Sequence, residues 1–368
     1  MARKRKPTIG IALDSGGAMG GAHIGVLLVL AEQGVAPDIV VGSSAGAVIG
    51  AFFAAGRLED FRKLVTDMSF IQSLGYYADP VFPYSGLLAG KRALRFIRSV
   101  VGDMRIEDLP IQFVAVATDL LSGETVALDR GPLAEAVLAS MAIPGIFKPV
   151  VHMDRLLTDG GVSDPLPLDI LKACSPDITV ACNLHSRMPS RYSAAKRHTL
   201  VQAEQEACAC EEDLAQGMIE RVMGLINPGA IRTGIKPLAE TILRKLASPR
   251  AGKILDAEYG KALKDYLLQG TQVLGELKPP ALFAAKPQNR MNIVEILLSA
   301  TNIQQYQKNR LMLKYDPPDV LIEPDVVDIL ALEFTKSAGA IEEGRVKALE
   351  AVPEILARVA KRGRTTSR

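Results

Sequence analysis

The amino-acid sequence predicts an α/β protein with a mostly parallel central sheet, covered by helices on both faces and carrying a helical insertion in its second half. Three observations predict it. In the first half, short apolar runs alternate with segments of helical character, the pattern of a parallel sheet fed by crossover helices. Two glycine-rich turns stand where an apolar run passes into a helix, and parallel sheets place their chemistry at those carboxyl ends of strands. From Ser186 to about Asn289 strand signals disappear, and beyond that stretch they return.

Each element follows from its residues. Thr8–Leu13 (TIGIAL) is a short apolar strand, and Asp14–Gly21 (DSGGAMGG) is the first glycine-rich turn. AHIGVLLVLAEQG is a helix closed by Gly34. DIVVG, from Asp38, is the second strand, followed by the turn that carries Ser44 and a helix through Ala55. Ile111–Leu120 (IQFVAVATDL) is a buried strand. PLAEAVLASMA is helical and stops before Pro144, and Asp177–Leu184 (DITVACNL) is a further strand. The segment after Ser186 is charged and amphipathic, and LKPPALFAAKPQ closes it with proline-rich linker chemistry. RMNIVEILLSATNIQQYQKNRLML is then helical, Val320–Ile322 is a short strand, and AGAIEEGRVKALEAVPEILARVA is a final helix. The expected organisation is a core over 1–185, a helical insertion over 186–289 and a segment over 290–368 that returns to the core.

Composition narrows the function. The chain has 368 residues, 48% of them hydrophobic, enough for a large core. A formal net charge of +2 gives no nucleic-acid signature. The cysteines are Cys174, Cys182, Cys208 and Cys210. Their spacing is not that of a zinc site, so reduced thiols of a cytoplasmic protein are the expectation. The basic start MARKRK precedes an apolar run too short for a signal-peptide core, and no stretch approaches transmembrane length. Basic stretches in the insertion (AAKRH, LRKLASPRAGK) suit peripheral contact with a membrane surface, against the plainer reading of helices packed on the core.

Three segments carry the chemistry. Gly42-Ser43-Ser44-Ala45-Gly46 fits G-x-S-x-G at a strand-to-helix turn, the geometry that presents a nucleophilic serine at a sheet edge. Alone it equally describes a helix capped by Ser43 or Ser44. Gly16 and Gly17 follow the first strand directly, where backbone amides can form an oxyanion hole. A phosphate loop is the competing reading, although neither G-x-G-x-x-G nor Gly-Lys-Ser/Thr is present. Asp159 precedes Gly160 and Gly161 and is either a functional acid or an Asx-turn residue.

Together the three segments resemble the patatin-like phospholipase family, its bacterial branch in particular. That family carries a D-G-G-G-x-R/K-G loop, a G-x-S-x-G nucleophile and a D-G-G/A acid. Here they read, in the same order, Asp14–Gly20, Gly42–Gly46 and Asp159–Gly161. SGLLAGKRALRFI, VATDLLSGE, ASMAIPGIFKPV, PPDVLIEPD and LEFTKSAGAIEEG extend the likeness, which skips the insertion. The resemblance implies a three-layer α/β/α patatin-like fold and a lipid acyl hydrolase acting on phospholipids or lysophospholipids without metal or cofactor. It implies a Ser–Asp dyad, Ser44 as nucleophile and Asp159 as base, with oxyanion-hole amides from Gly16 and Gly17. Asp14, Gly42, Gly46, Gly160 and Gly161 support those motifs. A dyad suits a chain with only four histidines, His23, His152, His185 and His198, which read as packed or exposed. Two departures stand out: Ser15 replaces a family glycine, with a cost if that position needs positive φ, and Met19 replaces the family's cation. They motivate the alternative of a weakened, lipid-binding pseudoenzyme.

Overall fold

The computed structural model describes residues 5–67, 79, 86–188, 201–202 and 293–365. Contacts divide the chain into two units, one formed by Met1–Arg191 with Asn292–Arg368 and the other by Tyr192–Met291. The insertion expected over 186–289 lies outside the described residues, apart from 186–188 and 201–202, and so do His198, Cys208 and Cys210.

The first unit is built on one mixed sheet. In chain order its strands are β1 (Ile9–Leu13), β2 (Ile39–Ser43), β3 (Gln112–Asp119), β4 (Thr125–Leu128), β5 (Val150–His152), β6 (Arg155–Asp159), β7 (Ile178–Cys182) and β8 (Val320–Ile322). β3, β2, β1, β7 and β8 run parallel, side by side. β4 and β6 pair antiparallel with β3, and β5 pairs antiparallel with β6. The helices are α1 (Gly21–Glu32), α2 (Ala45–Ala54), α3 (Leu58–Asp67), α4 (Lys91–Val101), α5 (Leu133–Ser140), α6 (Leu168–Ala173), α7 (Ile293–Tyr315) and α8 (Ser337–Thr365).

Strand periodicity sorts the core into two layers. On β1, Ile9, Ile11 and Leu13 join a cluster with α1, α2 and α8, while Ala12 faces the opposite layer with Leu168 and Leu171 of α6. On β2, Val40 takes the first face, and Ile39 and Val41 take the second. Both faces are buried, so these strands read as continuous apolar runs. α1 is apolar almost all round because it lies between the sheet and α8.

The antiparallel strands β4, β5 and β6 escape a reading of apolar runs. They are short and partly exposed, and Thr125, His152 and Arg155 break the pattern. Their placement positions the site. Ala115 and Val116 of β3 pair with both β2 and β4, so those two strands flank β3 on opposite sides. Ala117 and Thr118 pair with β4 and β6, which puts β6 on the side of β2, just past its end. β2 stops at Ser43, opposite Val116. β6 arrives from the other direction and stops at Asp159, opposite Ala117. The two strands therefore meet end to end along β3.

Candidate active site

Ser44 is the first residue after β2, and its backbone sits at φ 52, ψ −116, a region that L-residues other than glycine seldom occupy. It takes the N-cap position of α2, yet its side chain makes no capping bond. The flanking glycines make the sharp turn feasible. A Cβ at Gly42 would lie 2.3 Å from the Gly46 carbonyl oxygen, and one at Gly46 would lie 2.3 Å from the Leu13 carbonyl oxygen. Any larger residue would force strand and helix apart. The Ser44 amide donates to Ser140 Oγ at 2.9 Å, and Ser140 Oγ donates to the Val116 carbonyl at 2.5 Å.

With its side chain free of capping, Ser44 Oγ donates to Asp159 Oδ2 at 2.5 Å. The other carboxylate oxygen, Oδ1, accepts the Gly161 amide at 2.7 Å, so the Asx turn is also present. Thr118 Oγ1 donates to the Asp159 carbonyl at 2.8 Å, and the Asp159 amide donates to the Ala142 carbonyl at 3.0 Å. Burial raises the Asp159 carboxyl from 3.8 to about 6, against the opposing pull of the Ser44 and Gly161 hydrogen bonds.

The Gly16–Gly17 turn lies at the end of β1, next to β2. Gly16 has φ 150 and Gly17 has φ 57, conformations that suit glycine. Among the described residues, nothing accepts a hydrogen bond from either amide. Ser15 does not carry positive φ, so the strain expected of it is absent; its amide donates to the Pro165 carbonyl. Met19 is buried in the main core cluster, with its terminal methyl packed near Gly16. Here, where the family pattern carries a cation, an apolar side chain fills the space under the turn.

Beneath the turn, Asp14 anchors a buried polar cluster. Its Oδ2 accepts from the Leu184 amide at 2.9 Å, His185 Nδ1 at 2.8 Å and Asn309 Nδ2 at 2.9 Å. Of the packed and exposed readings, His185 therefore takes the packed one, past the end of β7 as a buried partner of Asp14. His23 Nε2 donates to the Asp14 carbonyl at 2.8 Å, which leaves Nδ1 facing the Cys182 thiol at 3.2 Å. Burial lowers the His23 pKa to about 4, so the ring is neutral, and burial pushes the Cys182 thiol well up. Among the described residues, both buried histidines are thus bonded to Asp14, while the Ser44 hydroxyl is bonded to a carboxylate.

A cavity of about 270 Å³ opens over Ser44. Gly17 and Ala18 of the turn line it with Val48, Ile49, Phe61, Met141, Ile143 and Phe147, and Ala331, Leu332 and Phe334 form a further wall. The lining is apolar apart from the Ser44 and Ser337 side chains. Such a chamber suits a hydrocarbon chain. No group of three or more His, Cys, Asp or Glu side chains among the described residues could hold a metal ion.

The structure thus gathers the three sequence segments at one end of the sheet. Residues 11–172 match the patatin-like phospholipase family model. Over that stretch the core is similar to patatin-like phospholipase domains. An uncharacterised NTE family protein of Mycobacterium tuberculosis is 44% identical to it over 182 residues, 49% of this chain and 49% of that protein. The patatin-like phospholipase domain-containing protein 6 of Mus musculus is 33% identical over 186 residues, 49% of this chain and 14% of that protein. The chain spans about half the length of the mycobacterial relative. Among solved structures, VipD from Legionella pneumophila aligns over 58% of this chain and 56% of that one, with a TM-score of 0.34 and 16% identity.

Within this core, several contributing residues carry no motif signal of their own. Ser140 lies inside the ASMAIPG stretch, but nothing in its spacing announces a bond to Ser44. Asn309 and Gln305 arrive from α7, far along the chain. Gln305 Nε2 donates to the Gly161 carbonyl at 3.2 Å. Their only signal is that five amides, Asn302, Gln304, Gln305, Gln307 and Asn309, crowd into about two turns of one helix.

Proposed function

We propose that this protein is a serine acyl hydrolase that cleaves fatty-acyl esters of phospholipids or lysophospholipids. The observation that carries the reading is the 2.5 Å hydrogen bond from Ser44 Oγ to the buried Asp159 carboxylate at the edge of an apolar cavity. With the acyl chain in the cavity, Ser44 Oγ attacks the ester carbonyl carbon and its proton passes to Asp159 Oδ2. The carbonyl oxygen becomes an oxyanion facing the Gly16 and Gly17 amides, while the N-terminus of α2 favours the same charge. Collapse breaks the bond to the alkoxy oxygen, which takes the proton from Asp159 and leaves as the alcohol. Water then attacks the acyl-enzyme, giving its proton to Asp159. The second collapse releases the fatty acid, and the proton returns to Ser44 Oγ.

The raised carboxyl fits this role, because a base with a pKa near 6 takes the serine proton more readily than an ordinary aspartate. A panel of fluorogenic acyl esters and defined phospholipids tests the reading. Ser44→Ala and Asp159→Asn should each lower turnover about 10³-fold or more while leaving the fold intact. Wild-type turnover by Ser44→Ala would overturn the mechanism. Met19, in place of the family's cation, favours the second reading of a lipid-binding pseudoenzyme. That reading predicts no adduct of a fluorophosphonate on Ser44 together with retained lipid binding.

A further inference from the structure

We infer that Ser140 is a positioning residue for the nucleophile, an assignment that rests on the hydrolase reading above. Ser44 holds a backbone conformation that an L-residue keeps only where its surroundings over-determine it. Its carbonyl is engaged by the Val48 amide at 3.1 Å, the ordinary start of α2. Its amide donates to a side chain, Ser140 Oγ, contributed by the last residue of α5. Ser140 is fully buried and outside the cavity lining, so it does not touch an acyl chain there.

The direction of the two hydrogen bonds is fixed. The Val116 carbonyl can only accept, so the one hydroxyl proton of Ser140 points to it at 2.5 Å. An oxygen lone pair is left for the Ser44 amide at 2.9 Å. The relay runs from Ser44 through Ser140 to the β3 residue that also marks the end of β2. Asp159 is tied to the same strand through Thr118, two residues along. Nucleophile and acid are therefore referenced to one strand, each by a hydroxyl. Without the Ser140 oxygen, the Ser44 amide is a buried donor with no acceptor, and the turn relaxes to find one. Ser44 Oγ then leaves the line to Asp159.

The test measures the labelling rate of Ser44 by a fluorophosphonate, in which Oγ displaces fluoride at phosphorus and its proton passes to Asp159. Ser140→Ala should slow labelling and kcat by about tenfold or more, with KM within about twofold of wild type. Ser140→Thr, which keeps the oxygen, should restore most of the rate. Ser140→Cys, close to serine in size but a weak acceptor, covers the case in which the alanine variant does not fold, and it should also label slowly at a melting temperature near wild type. Wild-type labelling by folded Ser140→Ala or Ser140→Cys would overturn the inference and leave the hydrolase reading standing. If the wild-type protein took no label, the hydrolase reading would fall and the inference with it.

Discussion

At the scale of the residue, the site turns on a carboxylate that burial makes reluctant to ionise. In the proposed mechanism Asp159 must be ionised to accept the Ser44 proton, so kcat/KM should rise with pH through a limb near 6. The same shift bears on stability. Between about 4 and 6 the native state keeps a proton that the unfolded chain has already released, so stability falls as pH rises through that window. A shift from 3.8 to about 6 corresponds to roughly 3 kcal/mol lost once Asp159 is ionised. Asp164, which burial also raises to about 6 despite nearby Lys308, adds to the same fall. Asp159→Asn should therefore melt above wild type at pH 8 and near it at pH 4, while losing hydrolysis. Melting curves at the two pH values check this, and a lower melting temperature for Asp159→Asn at pH 8 would contradict it. Ser44 and Asp159 were legible because each sits in a glycine-bearing pattern set by backbone geometry. Ser140 and Asn309 were not, because a hydrogen bond across the fold leaves no local spacing.

At the scale of the element, β3 is the ruler of the site. Four of the parallel strands, β1, β2, β3 and β7, announce themselves as apolar runs because both faces are buried, and β8 does so as well although Leu321 is exposed. β6 does not, yet its end-to-end approach to β2 places Asp159 beside Ser44. α7 is the second hidden contributor: its helical character is plain in the sequence, but its docking under the Gly16–Gly17 turn is not. Asn309 Nδ2 spans Asp14 Oδ2 at 2.9 Å and Asn183 Oδ1 at 3.1 Å. Asn309→Ala should cost about 1–3 kcal/mol by stripping donors from buried acceptors. Asn309→Asp should cost more, since it sets a carboxylate against Asp14 in a buried site. Urea midpoints for the two variants check the order, and a smaller loss for Asn309→Asp would remove Asn309 as an essential donor.

At the scale of the whole molecule, the returning segment completes both core and cavity. β8 extends the sheet beside β7, and α8 lies against α1 through reciprocal glycines. A Cβ at Gly25 would lie 2.0 Å from the Ile341 carbonyl oxygen, and one at Gly344 would lie 2.0 Å from the Ala22 carbonyl oxygen. These neighbours are backbone, so no rotamer change relieves the overlap and the helices must separate. α8 is also preceded by the wall of the cavity, and the Ala331 carbonyl accepts the Ala18 amide beside the Gly16–Gly17 turn. Gly344→Ala should therefore destabilise by about 1–3 kcal/mol and, in the protein still folded, lower ester turnover by shifting that wall. Gly339, on the same helix, supplies the control: a Cβ there meets nothing within 4 Å. Gly339→Ala should stabilise by up to about 1 kcal/mol through helix propensity and leave turnover unchanged. Thermal melts and turnover of the two variants decide the matter, since the same chemical change is made twice on one helix. Equal effects at 339 and 344 would mean that contact with α1 does not hold α8 in place.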